Sequence, residues 1–404
     1  ALMLGAALIL PAFLELMLLA GQRAARGPLA QWFWADSRQQ LSGLSLALMA
    51  LLLALAVNVG VSTMVATFSR TFLGWLDGRL AADVYISASD NAQGTAIRNW
   101  LKQRSDVQAI LPGGRAEAQI RGQSVELLGL PDHALYRERW PMLETGPRAW
   151  TRLVPGNAAF ISEQLSRRLG VQIGDVVEVP APGGSWELDI VGIYADYGNP
   201  KGQLTVNVAA LLRQFPQTPQ TRIGLIVARE HIPGLIAALQ QQFGLDDRSV
   251  ADQATVKAES IRIFNRTFAV TSALNAFTLG VAGIALLTSL LTLANSRLPQ
   301  LAPLWAIGIT RPRLAAIELT KTLSVALFTA LLAVPLGLVV AWCLVAIVNV
   351  KAFGWRLPFH VFPLQLIELV AVAMLASLLA ALLPMIRLAR MQPANLVKVF
   401  ANER

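Results

Sequence analysis

Residue types that carry out reactions are sparse and scattered in this 404-residue chain. The three histidines, His133, His231 and His360, fall in no His-Glu-x-x-His run or comparable ligand spacing, so zinc-assisted hydrolysis has no ligand set. Cys343 is the single cysteine and sits in an apolar run, which excludes an intramolecular disulfide or a paired-thiolate metal site and reads as helix packing. There is no Gly-x-Ser-x-Gly elbow for acyl transfer, and no Gly-x-x-x-x-Gly-Lys-Ser/Thr run to cradle a nucleotide. The expected sets of catalytic, cofactor-binding and metal residues are therefore empty, and any ATP is expected in a partner subunit. Glu15 and Glu368 lie within apolar stretches, where an ionisable group is costly and by default functional. Both are within reach of a helix end, which leaves snorkelling, an interhelical hydrogen bond and a proton relay open.

Docking chemistry is better represented than reaction chemistry. Between Arg297 and Arg313, Leu301, Leu304, Trp305 and Gly308 recur at helical spacing among basic residues. Such an apolar face fits a groove on a soluble partner, or lies on lipid. Gly308 can let the chain turn out of the helix. The candidate coupling residues are Arg297, Gln300, Leu301, Leu304, Trp305, Gly308 and Arg311.

The elements that position this segment follow from composition. The chain is 54% hydrophobic and 15% charged, which takes it out of the soluble globular class. Five stretches are long enough to cross a bilayer: Leu2–Ala20, Leu44–Phe68, Phe268–Leu293, Leu323–Val348 and Val361–Met385. The net charge of +9 is not a nucleic-acid footprint, because residues 69–266 carry 21 Lys/Arg against 20 Asp/Glu. The excess flanks the apolar runs, at Arg23, Arg26 and Arg38, at Arg297, Arg311, Arg313 and Lys321, and at Arg387, Arg390, Lys398 and Arg404. By the positive-inside rule those three segments are cytoplasmic, and the long polar middle lies outside. Trp32, Phe33 and Trp34 stand among the first basic group, as in a helix lying at the headgroups.

The second span continues outward through Phe68, Phe72, Trp75, Leu76 and Leu80, and the third is preceded by Ile261, Phe264 and Phe268 on one face. Two packed helical stalks are expected, with Phe72, Trp75, Leu76, Ile261 and Phe264 at their contact. Between them the pattern is mixed. Strands are expected at Asp83–Ser89, around the turn Arg121–Gly122–Gln123, at Val176–Val179, Trp186–Tyr194 and Arg222–Ala228, and helices at Thr95–Arg104, Asn157–Leu169 and Pro233–Phe243. One subdomain is expected from both ends of this section, with a second inserted near Pro131–Gln220.

The segment Asn295–Gly337, NSRLPQLAPLWAIGITRPRLAAIELTKTLSVALFTALLAVPLG, resembles the carboxy-terminal core of the FtsX/MacB-type ABC transporter permease superfamily. Its Ala-Ile-Gly helix end, basic turn, long span and Pro/Gly break follow that family's order. The exit Arg387–Lys398 is similar to the family's basic tail, and Ala159–Asp196 to the MacB-like periplasmic core. One departure is Gln300, preceded by Pro299, where members commonly carry an acidic residue in the coupling segment.

The resemblance implies a membrane α-helical fold of about five transmembrane helices with an inserted α+β extracytoplasmic domain on helical stalks. The expected division is a span at 1–20 left from a preceding core, a cytoplasmic interfacial segment at 21–40, span and stalk at 41–80, and the external domain at 81–258. It continues with stalk and span at 259–295, coupling segment at 296–322, span at 323–348, external loop at 349–360, span at 361–386 and cytoplasmic tail at 387–404. The first span lacks a signal-peptide pattern, and the chain is expected to be the second half of a ten-span, two-core permease. The implied partners are a cytoplasmic ABC ATPase dimer, the lipid bilayer, and an extracytoplasmic protein or lipidic substrate, with no nucleic acid. The expected location is the bacterial inner membrane. The implied function is mechanotransmission, in which ATP hydrolysis by the partner moves the external domain against a lipoprotein, lipid or other hydrophobic substrate. A transmembrane signalling or scaffold protein that activates an extracytoplasmic hydrolase or partner shares the same fold.

Overall fold

The computed structural model describes residues 2–197, 199, 201–306 and 308–390, without the side chains of 294–306 and 388. It divides into two compact units. One comprises Ala1–Thr67, Phe268–Val345 and Phe359–Arg404, and the other Phe68–Thr267 and Ala346–Pro358.

The first unit is helical. Its elements come from α1 (Leu2–Ala24), α2 (Pro28–Arg79), α3 (Gln253–Ala306), α4 (Arg311–Cys343, continued by a π-turn at Leu344–Val348) and α5 (Pro363–Arg390). All five contain a segment long and apolar enough to span a membrane, matching the five apolar stretches. Each helix buries one stripe: Ala7, Leu10, Leu14 and Leu18 on α1, and Leu44, Leu48, Leu51 and Leu55 on α2. Leucine alone gives lipid-embedded helices no reason to prefer each other over lipid tails, so small and polar residues set their contacts. Gly337 of α4 sits against α2 so closely that a Cβ there would lie 2.5 Å from that of Val59. Gly60 makes the reciprocal approach to Val340. Asn58 Nδ2 donates to Thr278 Oγ1 at 3.0 Å, and Asn275 Nδ2 to Ser62 Oγ at 3.0 Å, which ties α2 to α3.

The second unit is built on ten strands: β1 (Val84–Ser87), β2 (Val107–Ile120), β3 (Gln123–Leu130), β4 (Met142–Thr145), β5 (Ala158–Ser162), β6 (Val176–Ala181), β7 (Gly184–Tyr194), β8 (Gln203–Asn207), β9 (Arg222–Val227) and β10 (Val250–Asp252). Their order is β10-β1-β9-β2-β3-β8-β5-β7-β4, with β6 also on β7. The long β2 belongs to two subdomains. Its first half pairs with β9 as far as Gly113, and its second pairs with β3 from Gly114. Helices Asn91–Leu101 and Ile232–Phe243 cover the β10-β1-β9 side, burying Ile97, Leu101, Leu235 and Leu239. The subdomain from both ends is thus present, but the insertion begins inside β2 rather than near Pro131. A Gly-Gly pair can bend an unbroken strand from one sheet into the next, so the division needs no loop. The β2–β3 turn places Arg121 and Gly122 at φ of 49° and 76°, the left-handed pair of a two-residue hairpin.

One further expectation changes in this unit. Asn157–Leu169 is not one helix. Ala158–Ser162 is β5, buried throughout and paired parallel to β7, and only Glu163–Leu169 is helical. A short apolar run buried on both faces carries no alternation, and periodicity cannot separate it from a buried helix turn. For the same reason β8, also buried at every residue, carried no strand signal.

Candidate functional site

The predicted stalk residues belong to the second unit, and three of them, Phe72, Trp75 and Phe264, meet in a closed aromatic ring. Phe72 from the end of α2 stacks on Phe264 from the start of α3, with centroids 5.3 Å apart and planes 14° from parallel. Phe68 joins both, at 6.1 Å from Phe72 and 5.5 Å from Phe264. Trp75 lies 5.6 Å from Phe72 and 6.0 Å from Tyr197 of the sheet domain, and its indole Nε1 donates to the carbonyl of Ala195 at 3.0 Å. Leu76 is buried and Ile261 half-buried. Lys257 Nζ pairs with Asp77 Oδ1 at 2.5 Å, a second tie between the two helical segments.

The ring closes through a residue that sequence reasoning did not single out. Trp355, in the segment read as a plain external loop, stacks on Phe68 at 5.7 Å and meets Tyr197 edge-on at 5.0 Å. It is only 6% exposed. The loop is seated by backbone: the N–H of Arg356 donates to Glu163 Oε2 at 3.1 Å. Gly354, at φ 79°, lets it pass Gln164, whose Cβ would be 3.1 Å from an added side chain. Burial among these groups, and then the Glu163 carboxylate, push the Tyr197 hydroxyl up to about 12. Three chain segments, one leaving α2, one entering α3 and one joining α4 to α5, therefore converge on one aromatic cluster.

At the last residue of α2, Arg79 is anchored among the domain's polar groups. Its Nη2 donates to Gln203 Oε1 at 3.0 Å and lies 3.6 Å from Asp196 Oδ1, while its guanidinium covers the Trp140 ring at 4.6 Å. Burial raises the Asp196 carboxyl above its ordinary value, against the opposing pull of Arg79. Tyr194 OH donates to the same Gln203 Oε1 at 2.8 Å, and Gln203 Nε2 donates to Glu126 Oε2 at 2.8 Å.

The first unit holds a different constellation. Lys321 on α4 is 1% exposed, and its ammonium pairs with Asp36 Oδ2 at 2.5 Å and Glu318 Oε1 at 2.7 Å. The two carboxylate side chains are 9% and 7% exposed. Gln40 bridges them, its Nε2 donating to Asp36 Oδ2 at 3.2 Å and to Glu318 Oε2 at 2.9 Å, and the ring of Trp32 covers the ammonium at 4.0 Å. Trp32, Asp36 and Gln40 recur every four residues, so one face of α2 supplies all three. Removing one member of a buried, fully bonded charge set leaves the others uncompensated, at a cost of about 3–5 kcal/mol.

This cluster corrects the sequence-based account of charge. Lys321 was counted with the cytoplasmic basic flank, yet helical periodicity turns it inward with Leu314, Glu318 and Val325. Glu15 and Glu368, the two carboxylates singled out, are both exposed, Glu15 lying 3.8 Å from Arg38. The missed signal was Glu318-x-x-Lys321, opposite charges on one face of a helix whose other charges, Arg311 and Arg313, lie in its first turn. His133 is a helix cap, its Nδ1 accepting from the backbone N–H of Leu135 at 3.2 Å.

Of the coupling segment, Gly308 is exposed at φ 103°, a conformation suited to glycine, and Arg311 opens α4 and is half-buried. The side chains of Arg297, Gln300, Leu301, Leu304 and Trp305 lie outside the described residues, as do those of Lys398 and Arg404.

The second half of α3, with α4 and α5, is the stretch that decides the relationship. Residues 272–393 match the FtsX-like permease C-terminal family. The resemblance read from Asn295–Gly337 is thereby borne out. An uncharacterized ABC transporter permease protein of Mycobacterium tuberculosis, Rv0987, is 29% identical over 395 residues, covering 94% of this chain and 46% of that protein. The lipoprotein-releasing system transmembrane protein LolC of Haemophilus influenzae is 26% identical over 294 residues, covering 69% of this chain and 72% of LolC. This chain thus spans about half the length of the mycobacterial relative. Among solved structures, the periplasmic region of MacB from Actinobacillus actinomycetemcomitans aligns at a TM-score of 0.32 with 11% identity, over 44% of this chain and 91% of that one. The extracellular domain of the transporter YknZ from Gram-positive bacteria aligns at 0.31 with 12% identity, over 42% and 98%. This chain is thus similar to ABC transporter permeases, carries an FtsX-like permease C-terminal match over residues 272–393, and among its described residues combines five helices long and apolar enough to cross a membrane with a mixed α/β unit.

Proposed function

We propose that this chain is the permease subunit of an ABC-type machine that turns ATP hydrolysis in a cytoplasmic partner, an ATPase dimer, into movement of the external domain. The observation that carries the reading is the aromatic ring of Phe68, Phe72, Trp75, Tyr197, Phe264 and Trp355, where three chain segments that run on into membrane helices meet the sheet domain. Stacked rings with a fixed indole hydrogen bond resist shear, as a force-bearing joint requires. The segment from Arg297 to Arg311 engages the ATPase, which holds the ATP. The substrate class is a lipoprotein, lipid or other hydrophobic molecule handled on the outer face, in keeping with the description of LolC as part of a lipoprotein-releasing system.

Affinity purification of the full-length protein in detergent, with copurifying chains identified and their ATP hydrolysis assayed, tests this. A copurifying P-loop ATPase whose rate rises with added lipid or lipopeptide is the expected result. Reproducible absence of an ATPase would overturn the reading, and stimulation only by an external hydrolase would favour the scaffold instead.

A further inference from the structure

We infer that α2 and α4 form one rigid parallel pair, held in register by the Lys321 cluster, so that displacement of α4 at the coupling segment moves α2 as the same body. The inference rests on the mechanotransmission reading for its purpose, though not for its geometry.

Two contacts fix the register. At one end Gln40 meets Glu318, residues separated by 278 positions in the chain. At the other, Val59 meets Gly337 at the same separation, with Gly60 beside Val340. Contacts nineteen residues apart on both helices keep the same offset, so the pair runs in step for about 28 Å, close to the thickness of a bilayer core. A slip of one helix past the other would break both ends together.

The two ends resist slip for different reasons. At the glycine end, backbones approach so closely that Val59 and Gly337 interlock, and any translation brings a side chain into a gap too small for it. At the charged end Lys321 must stay on both carboxylates and under the Trp32 ring, and Gln40 must stay on both carboxylates. Apolar contacts can slide with small loss. A buried ammonium has no water to replace the partner it leaves, and such groups are best attested as devices of register. Lys321 lies ten residues into α4 from Arg311, about 15 Å along the helix, so the charged end of the pair is the end nearest the coupling segment. Lys321 is on this account a positioning residue.

Spin labels at Leu46 on α2 and Leu331 on α4, both exposed, in a Cys343→Ser background, measure the pair directly in the full chain reconstituted with its copurified ATPase. The expected result is one narrow distance, with no shift between nucleotide-free and vanadate-trapped samples. A shift on trapping would overturn the rigid pair. Lys321→Met is expected to broaden the distribution and lower ATP-driven turnover, and Lys321→Arg to restore both. A Lys321→Met protein as narrow as the parent would overturn the role of the cluster. Should Lys321→Met not fold, the nucleotide comparison in the parent still decides between a rigid and a separating pair. If no ATPase copurifies, the mechanotransmission reading fails by itself, while the label distance and its response to Lys321→Met still test the register.

Discussion

The two units join their parts with opposite chemistry. In the helical unit the decisive contacts are a buried lysine between two carboxylates and glycines pressed on valines. In the sheet-bearing unit they are stacked aromatics, with an arginine laid over a tryptophan face. The solvent explains the difference. Lipid tails are as apolar as leucine, so burying a ring between membrane helices gains little, whereas fit and paired charge still discriminate one partner helix from another. Next to water the same ring removes a large apolar area from solvent, and aromatic pairs add about 0.5–1.5 kcal/mol beyond that area. The charged joint therefore specifies register, and the aromatic joint supplies cohesion.

The largest expected effect lies on the charged joint. Lys321→Met should cost about 3–5 kcal/mol, read as a lower midpoint in thermal unfolding of the detergent-solubilised chain. Replacing Lys321, Asp36 and Glu318 together with apolar residues of similar volume should recover most of that loss, because no charge is then stranded. No recovery would break the comparison. On the aromatic joint, Trp355→Ala should cost about 3 kcal/mol through lost packing, whereas Trp355→Phe should retain most of the stability. Protease susceptibility of the external domain reads both, and equal behaviour of the two variants would remove stacking from the account. A smaller effect, about 1–3 kcal/mol from overpacking, is expected for Gly337→Leu, which forces α4 away from Val59. Here the sensitive readout is the label distance across α2 and α4 rather than the unfolding midpoint.

The smallest effect is a pH dependence of the external domain. Because the folded Asp196 carboxyl titrates above its unfolded value, near about 3.9, the folded state binds its proton more tightly. That contribution is fully present below the unfolded value and is lost as pH rises through the raised folded one. Asp196→Asn should therefore flatten stability across this window, and an unchanged profile would take Asp196 out of the account.

Much of this protein was legible before its structure. Five apolar stretches gave the five long apolar helices, because bilayer thickness acts on composition alone. The shared face of Phe72, Trp75 and Phe264 was legible because helical periodicity is local. The tertiary structure alone decided which distant residues meet. Lys321 read as one more flanking cation until Asp36, 285 positions away, was brought to 2.5 Å from it. Trp355 read as a loop aromatic until Phe68 and Tyr197 closed around it. Periodicity and charge bias are properties of a segment and its solvent, and a single chain displays them. Pairing between distant segments depends on how helices and strands pack, and that enters only when the whole chain is folded.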